Sequence, residues 1–143
     1  ASGAGEATKA IFLGSGRRSG MAGRPIGNGE GTVTRAETPD DVVLVYTTAA
    51  NLVEAEAICT DLVERRLAAC ANILPGMRSI YRWQGKVERA EEVVMIVKTI
   101  RRQVEPARRR LRESHSYETP AFLVIDVPDG DADYLAWLRA ETG

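Results

Sequence analysis

The sequence predicts an α+β fold: a four-stranded antiparallel sheet with two helices in a split βαβ sandwich, closed by a C-terminal helix. Three observations predict it. Short apolar runs at Val42–Tyr46, Val93–Val97 and Phe122–Val127 read as buried strands. Apolar residues recur at helical spacing after Asn51 and again after Val104. Between the two helices, a long alternating stretch reverses at Gln84-Gly85, as a hairpin does.

The first strand, Val42 to Tyr46, is closed by Thr47-Thr48, and Asn51 is suited to cap the helix that follows. Leu52, Ala55, Cys59, Leu62 and Val63 form that helix's apolar stripe, which ends near Arg66 or Leu67. Ala69 to Leu74 is extended and is interrupted by Pro75-Gly76, which implies an edge strand or a bulge. Ser79, Tyr81 and Trp83 then alternate with Arg78, Ile80 and Arg82. After the turn, Lys86 to Glu91 returns as a polar strand and continues into the buried run Glu92 to Lys98. The outer half of this hairpin is too polar for a monomer's core.

Val104, Ala107 and Leu111 mark the second helix, running from Val104 or Glu105 to Glu113 with Pro106 confined to its first turn. Pro120 to Val127 supplies the fourth strand. Asp129-Gly130 turns it, and Asp131 or Asp133 caps a last helix carrying Tyr134, Leu135, Trp137 and Leu138. This order is the ferredoxin-like arrangement. Two helices on one face leave the other face bare, with Tyr81 and Trp83 on it, and an apolar bare face implies an oligomer.

Composition limits the function. The chain has 143 residues, and 9 of its 13 glycines precede residue 32. Residues 1–40 are therefore read as a flexible Gly-rich N-terminal extension, with Met21 offering a native start, and residues 41–143 as one domain. Gly27-Asn28-Gly29 is no phosphate loop, since no strand precedes it and no helix follows. Nineteen basic and 20 acidic residues give a net charge of −1, so no global field favours nucleic acid or anionic membrane. No apolar run approaches the roughly 20 residues of a bilayer span. Two cysteines form neither a CxxC pair nor a disulfide framework, and the expected compartment is the reducing cytoplasm. Six arginines from Arg101 to Arg112 lack aromatic interleaving and read as a solvated helix face.

Several short elements, in order and in register, then carry a family resemblance. They are Leu67-Ala68-Ala69-Cys70-Ala71-Asn72, Tyr81-Arg82-Trp83-Gln84-Gly85-Lys86, Glu92, and Lys98-Thr99. His115-Ser116-Tyr117-Glu118-Thr119-Pro120 and Tyr134-Leu135-Ala136-Trp137 follow. On these the chain from Val42 to Thr142 resembles the CutA family of divalent-cation tolerance proteins. The resemblance implies a ferredoxin-like protomer, a homotrimer joined through the long hairpins, cytoplasmic residence, and copper or other divalent cations as ligands. It also implies an architecture like that of the PII signalling trimers, which bind small effectors between subunits. Some relatives carry cysteine where this chain has Tyr46 and a second histidine where it has Ser114. Ser116 and Ala121 replace a more usual proline and glutamate.

Of that ligand set only His115 remains, and copper or zinc sites need three or four nitrogen or sulfur ligands. His115 is thus the candidate metal ligand, with a hydrogen-bonding histidine at a helix end as the alternative. Cys59 reads as core and Cys70 as a packed thiol. Lys98, Thr99, Tyr117, Trp83, Lys86 and Glu92 are the candidate binding residues, converging between subunits on a small anionic effector or a hydrated cation. Lys86 and Glu92 as an intersubunit ion pair is the alternative. A rival reading makes the protein an enzyme using Cys70, Lys98 and His115, yet no nucleophile–base–acid pattern accompanies them, and Asp126 and Asp129 stand without a motif. A third is a scaffold presenting Arg108, Arg109 and Arg110 to a protein partner.

Overall fold

The computed structural model describes residues 35–143. Most of the Gly-rich extension, residues 1–34 with Met21 and Gly27-Asn28-Gly29, lies outside the described residues. The elements run β1 (Val42–Ala49), α1 (Leu52–Glu64), β2 (Cys70–Trp83) and β3 (Lys86–Ile100). A 3₁₀ turn (Arg101–Gln103), α2 (Val104–Ser114), β4 (Phe122–Asp126) and α3 (Ala132–Glu141) follow. The sheet order is β2-β3-β1-β4, antiparallel at every pairing. This is the split βαβ arrangement expected from the element order.

Local chemistry explains most boundaries. The Asn51 side chain accepts the Glu54 N–H at 2.9 Å, and Asp131 does the same for Tyr134, so both helices start on a side-chain cap. Pro106 falls in the first turn of α2, where its missing N–H costs no helical bond. Gln84 and Gly85 both adopt positive φ, 48° and 78°, which matches the twist of the strands they join. The interruption at Pro75-Gly76 is a bulge between Leu74 and Met77, on what is also an edge strand.

Two boundaries differ from expectation. β1 runs three residues past Tyr46, because Thr47, Thr48 and Ala49 are buried and pair with Met95, Val94 and Val93. β4 is shorter than Pro120–Val127, pairing only from Phe122 to Asp126.

The register separates the two faces of the sheet. Val45, Ala49, Val93, Met95 and Val97 face α1 and α2, packing with Ile58, Leu62, Ala107 and Leu111. The other face was expected to be bare. Instead α3 covers one end of it, where Leu138 packs on Val42 and Ile100. The rest stays open, with Leu123 59% and Ile125 47% exposed beside Leu44 and Tyr46. At the hairpin the outer half leaves the body of the sheet, in keeping with its polar sequence. β1 reaches only as far as Val93, so Met77–Trp83 and Lys86–Glu92 project as a two-stranded arm. Seven residues of strand extend it by roughly 23 Å.

The arginines of the α2 region are largely engaged, as a solvated face requires. Arg101 and Arg102 hold Asp126 and Asp40, Arg108 holds Glu105, and Arg110 holds Asp61 and Glu113. The Arg102 N–H donates to Pro39 O and the Arg101 N–H to Asp41 O, so residues 39–41 lie against the domain.

Candidate functional site

Where the arm leaves the body of the sheet, Glu92 is the last β3 residue before β1 begins to pair. It is 5% exposed and is the one buried charged side chain among the described residues. Its neighbours on the arm follow from the two-residue turn: Met77 lies opposite Glu92, and Ser79, opposite Ala90, lies diagonally across. The Ser79 hydroxyl donates to Glu92 Oε2 at 2.5 Å. From the loop between α2 and β4, the Tyr117 hydroxyl donates to Glu92 Oε1 at 2.9 Å. Charge-assisted bonds of this kind are the strong ones.

His115 positions Tyr117. A backbone N–H can only donate, so the Tyr117 N–H at 3.0 Å makes His115 Nδ1 an acceptor. Nε2 then carries the proton and donates to Thr48 O at 2.7 Å, at the end of β1 that β4 leaves unpaired. The side chain of His115 is fully buried, and its ring lies 4.8 Å from that of Tyr117. Behind it, Glu54 in the first turn of α1 accepts the N–H and hydroxyl of Ser116, which ties the loop to the helix.

In front of Glu92 opens a cleft of about 400 Å³, lined by Tyr46, Met77, Ser79, Tyr81, Glu92 and Tyr117. The Tyr46 hydroxyl reaches the Met77 sulfur at 3.3 Å. Burial, and then the hydrogen bond to Glu92, push the Tyr117 phenol well above its ordinary value. Burial and the nearby Glu88 and Glu92 carboxylates raise Tyr81 as well. Both rings stay neutral phenols around an acceptor-only carboxylate.

The predicted binding residues are thus divided. Glu92 and Tyr117 meet in the cleft, and His115 stands directly behind it. Lys98 does not join them within the protomer. It lies six residues along β3, about 20 Å away, where its Nζ donates to the Tyr134 hydroxyl at 2.8 Å. That hydrogen bond raises the Lys98 pKa. Thr99 points to the helix side and is fully buried, its hydroxyl donating to Leu67 O at 2.7 Å. Trp83 and Lys86 oppose each other at the tip of the arm. Cys70 pairs across from Lys98, far from His115, so the three residues of the enzymatic reading do not form one centre in the protomer. Cys59 sits in the helix-side core, where burial pushes its thiol up to about 11. Ser79, Tyr46 and Met77 were not among the expected binding residues. The Gln84-Gly85 turn alone places Ser79 diagonal to Glu92, so that contact was legible.

Residues 43–141 match the family described as CutA1 divalent ion tolerance protein. The chain belongs to that family. A divalent-cation tolerance protein CutA of Pectobacterium atrosepticum is 42% identical over 100 residues, covering 70% of this chain and 91% of the relative. The crystal structure of CutA from Xylella fastidiosa aligns with a TM-score of 0.70 at 41% identity, covering 72% of this chain and 99% of that one. A structure described as the periplasmic divalent cation tolerance protein CutA of Archaeoglobus fulgidus aligns with a TM-score of 0.68 at 39% identity, covering 70% and 97%. The Pectobacterium and Archaeoglobus relatives carry the names of tolerance proteins, not of enzymes.

The family name raises the question of whether a divalent ion fits the cleft. Both His115 nitrogens are committed to protein partners, and neither cysteine approaches Glu92. Among the described residues, no three His, Cys, Asp or Glu side chains are grouped as metal ligands. A soft ion needs three or four such ligands, and a hard one needs six or more oxygens with little competition. The protomer's cleft offers one carboxylate, already holding two hydroxyls, and does not fit a resident metal.

Proposed function

We propose that this chain acts as a non-catalytic homotrimeric tolerance protein that senses a small effector in the cleft in front of Glu92. The observation that carries this reading is the buried carboxylate itself. A charge taken out of water is costly unless something compensates it, and Glu92 has two hydroxyl donors and no ion-pair partner among the described residues, with Arg78 lining the cleft without pairing to it. Its sign favours a positively charged ligand over an anionic one. The trimer is supported by the arm: a two-stranded ribbon is marginal by itself, and this one leaves Ile80 and Val87 exposed. Residence in the cytoplasm is part of the proposal, resting on two unpaired cysteines, although one relative is described as periplasmic.

Sedimentation and a thermal-shift screen test it together. The expected result is a species of three times the protomer mass whose melting temperature rises with a cationic compound, and Glu92→Gln abolishes the rise. A monomer at all concentrations refutes the assembly. Ligand responses that survive Glu92→Gln unchanged refute the cleft. A copper- or zinc-dependent rise that His115→Ala removes favours direct metal ligation instead.

A further inference from the structure

Resting on the reading of the cleft as the effector site, we propose that its ligand is a small organic cation bearing N–H donors, an alkylguanidinium or alkylammonium, rather than a metal ion. Three features of the cleft point to this class. The first is the state of the carboxylate. Glu92 accepts one hydroxyl on each oxygen, from Tyr117 and Ser79, and a carboxylate has about four acceptor sites. Two sites remain, on a buried charge without an ion-pair partner among the described residues. A planar or tetrahedral N–H cation fills them without displacing either hydroxyl, whereas a metal needs the oxygens for itself.

The second feature is the wall. Tyr46 and Tyr81 line the cleft with Met77 between them, and Tyr117 forms its inner side. Aromatic faces attract organic cations by their quadrupole, and a thioether adapts to an alkyl stem. Neither supplies a ligand that calcium, magnesium or zinc would choose. The third is size. A volume of about 400 Å³ is in the range of small-molecule sites and far exceeds a bare ion.

The preorganisation is built from behind. His115 fixes the Tyr117 backbone, Glu54 fixes Ser116, and Tyr117 then fixes Glu92. The charged group is therefore held in place before the ligand arrives, which lowers the ordering cost of binding.

Calorimetric titration of the full chain with butylguanidinium and with its neutral analogue butylurea tests the proposal, alongside magnesium, copper and zinc chlorides. Saturable binding of butylguanidinium is expected, with butylurea at least tenfold weaker. Glu92→Gln is expected to remove that preference. Because a core substitution can perturb folding, Tyr81→Leu at the half-buried cleft wall serves as a second variant and is expected to weaken the cation about threefold to tenfold. Amide chemical-shift changes at Ser79, Glu92 and Tyr117 should report the same site in the unaltered chain. Equal binding of butylurea and butylguanidinium at these residues overturns the cationic class but leaves the cleft as the effector site. So does metal binding that depends on Glu92. Binding that leaves Ser79, Glu92 and Tyr117 unshifted overturns the reading of the cleft as well. No binding of any probe, with the cleft closed by a basic side chain from a second copy, overturns both.

Discussion

Tyr117→Phe isolates the central interaction of the cleft. The ring is retained, so its packing at 4% exposure is conserved, and only the hydroxyl donated to Glu92 at 2.9 Å is removed. A hydrogen bond to a charged group contributes about 1.5–3 kcal/mol, so a loss of about 2 kcal/mol is expected. For a domain near 100 residues this corresponds to a fall in Tm of roughly 8–16 °C. Urea unfolding followed by circular dichroism, at one fixed protomer concentration because assembly adds to stability, should show a lower midpoint at unchanged slope. The same substitution in a Glu92→Gln background should cost only about 1 kcal/mol, since a neutral bond replaces a charge-assisted one. The resulting coupling of about 1 kcal/mol exceeds the usual error of such cycles. If Tyr117→Phe costs the same in both backgrounds, or costs nothing, then Glu92 is not held as described and the effector reading loses its foundation.

Two further outcomes concern the scaffold. Leu111, on α2, is fully buried in the main core, and Leu111→Ala should destabilise the protein by about 2–5 kcal/mol in the same unfolding assay. Hydrogen bonds from Arg110, and then from Arg65, lower Asp61 from its ordinary 3.8 to about 2. Its folded pKa lies below the unfolded one, so the stability it adds is present above about pH 4 and is lost as pH falls toward 2. The pair is partly exposed, so the loss should be about 1 kcal/mol or less, and it should be absent in Asp61→Asn during acid titration of stability.

Much of the fold was written in short-range patterns. The alternation of Ser79, Tyr81 and Trp83, the turn at Gln84-Gly85, the caps Asn51 and Asp131, and the position of Pro106 each act over a few residues. Each could be read without knowing the rest of the chain. The match from Val42 to Thr142 likewise rests on local motifs, and the family alignment spans residues 43–141. Boundaries that depended on a neighbour were misjudged. Nothing within Thr47-Thr48-Ala49 reveals that β3 waits beside it, and nothing in α3 alone says which sheet face it covers.

The candidate site divides along the same line. Glu92, Tyr117 and His115 stood out as residue types, and their convergence with Lys98 was expected between subunits; within the protomer Lys98 lies too far along the same strand to reach Glu92. Thr99 shares that strand and points to its opposite face. Residue identity, turn chemistry and periodicity are local, and the sequence alone determined the element order, the hairpin and the family. Which carboxylate is buried, whether a loop hydroxyl reaches it and whether a histidine nitrogen is free are long-range outcomes. Tyr117 and Glu92 are 25 positions apart, and His115 and Thr48 are 67 apart. Only the packing of the loop onto the end of β1 brings them together, so only the tertiary structure decided that His115 supports the cleft from behind.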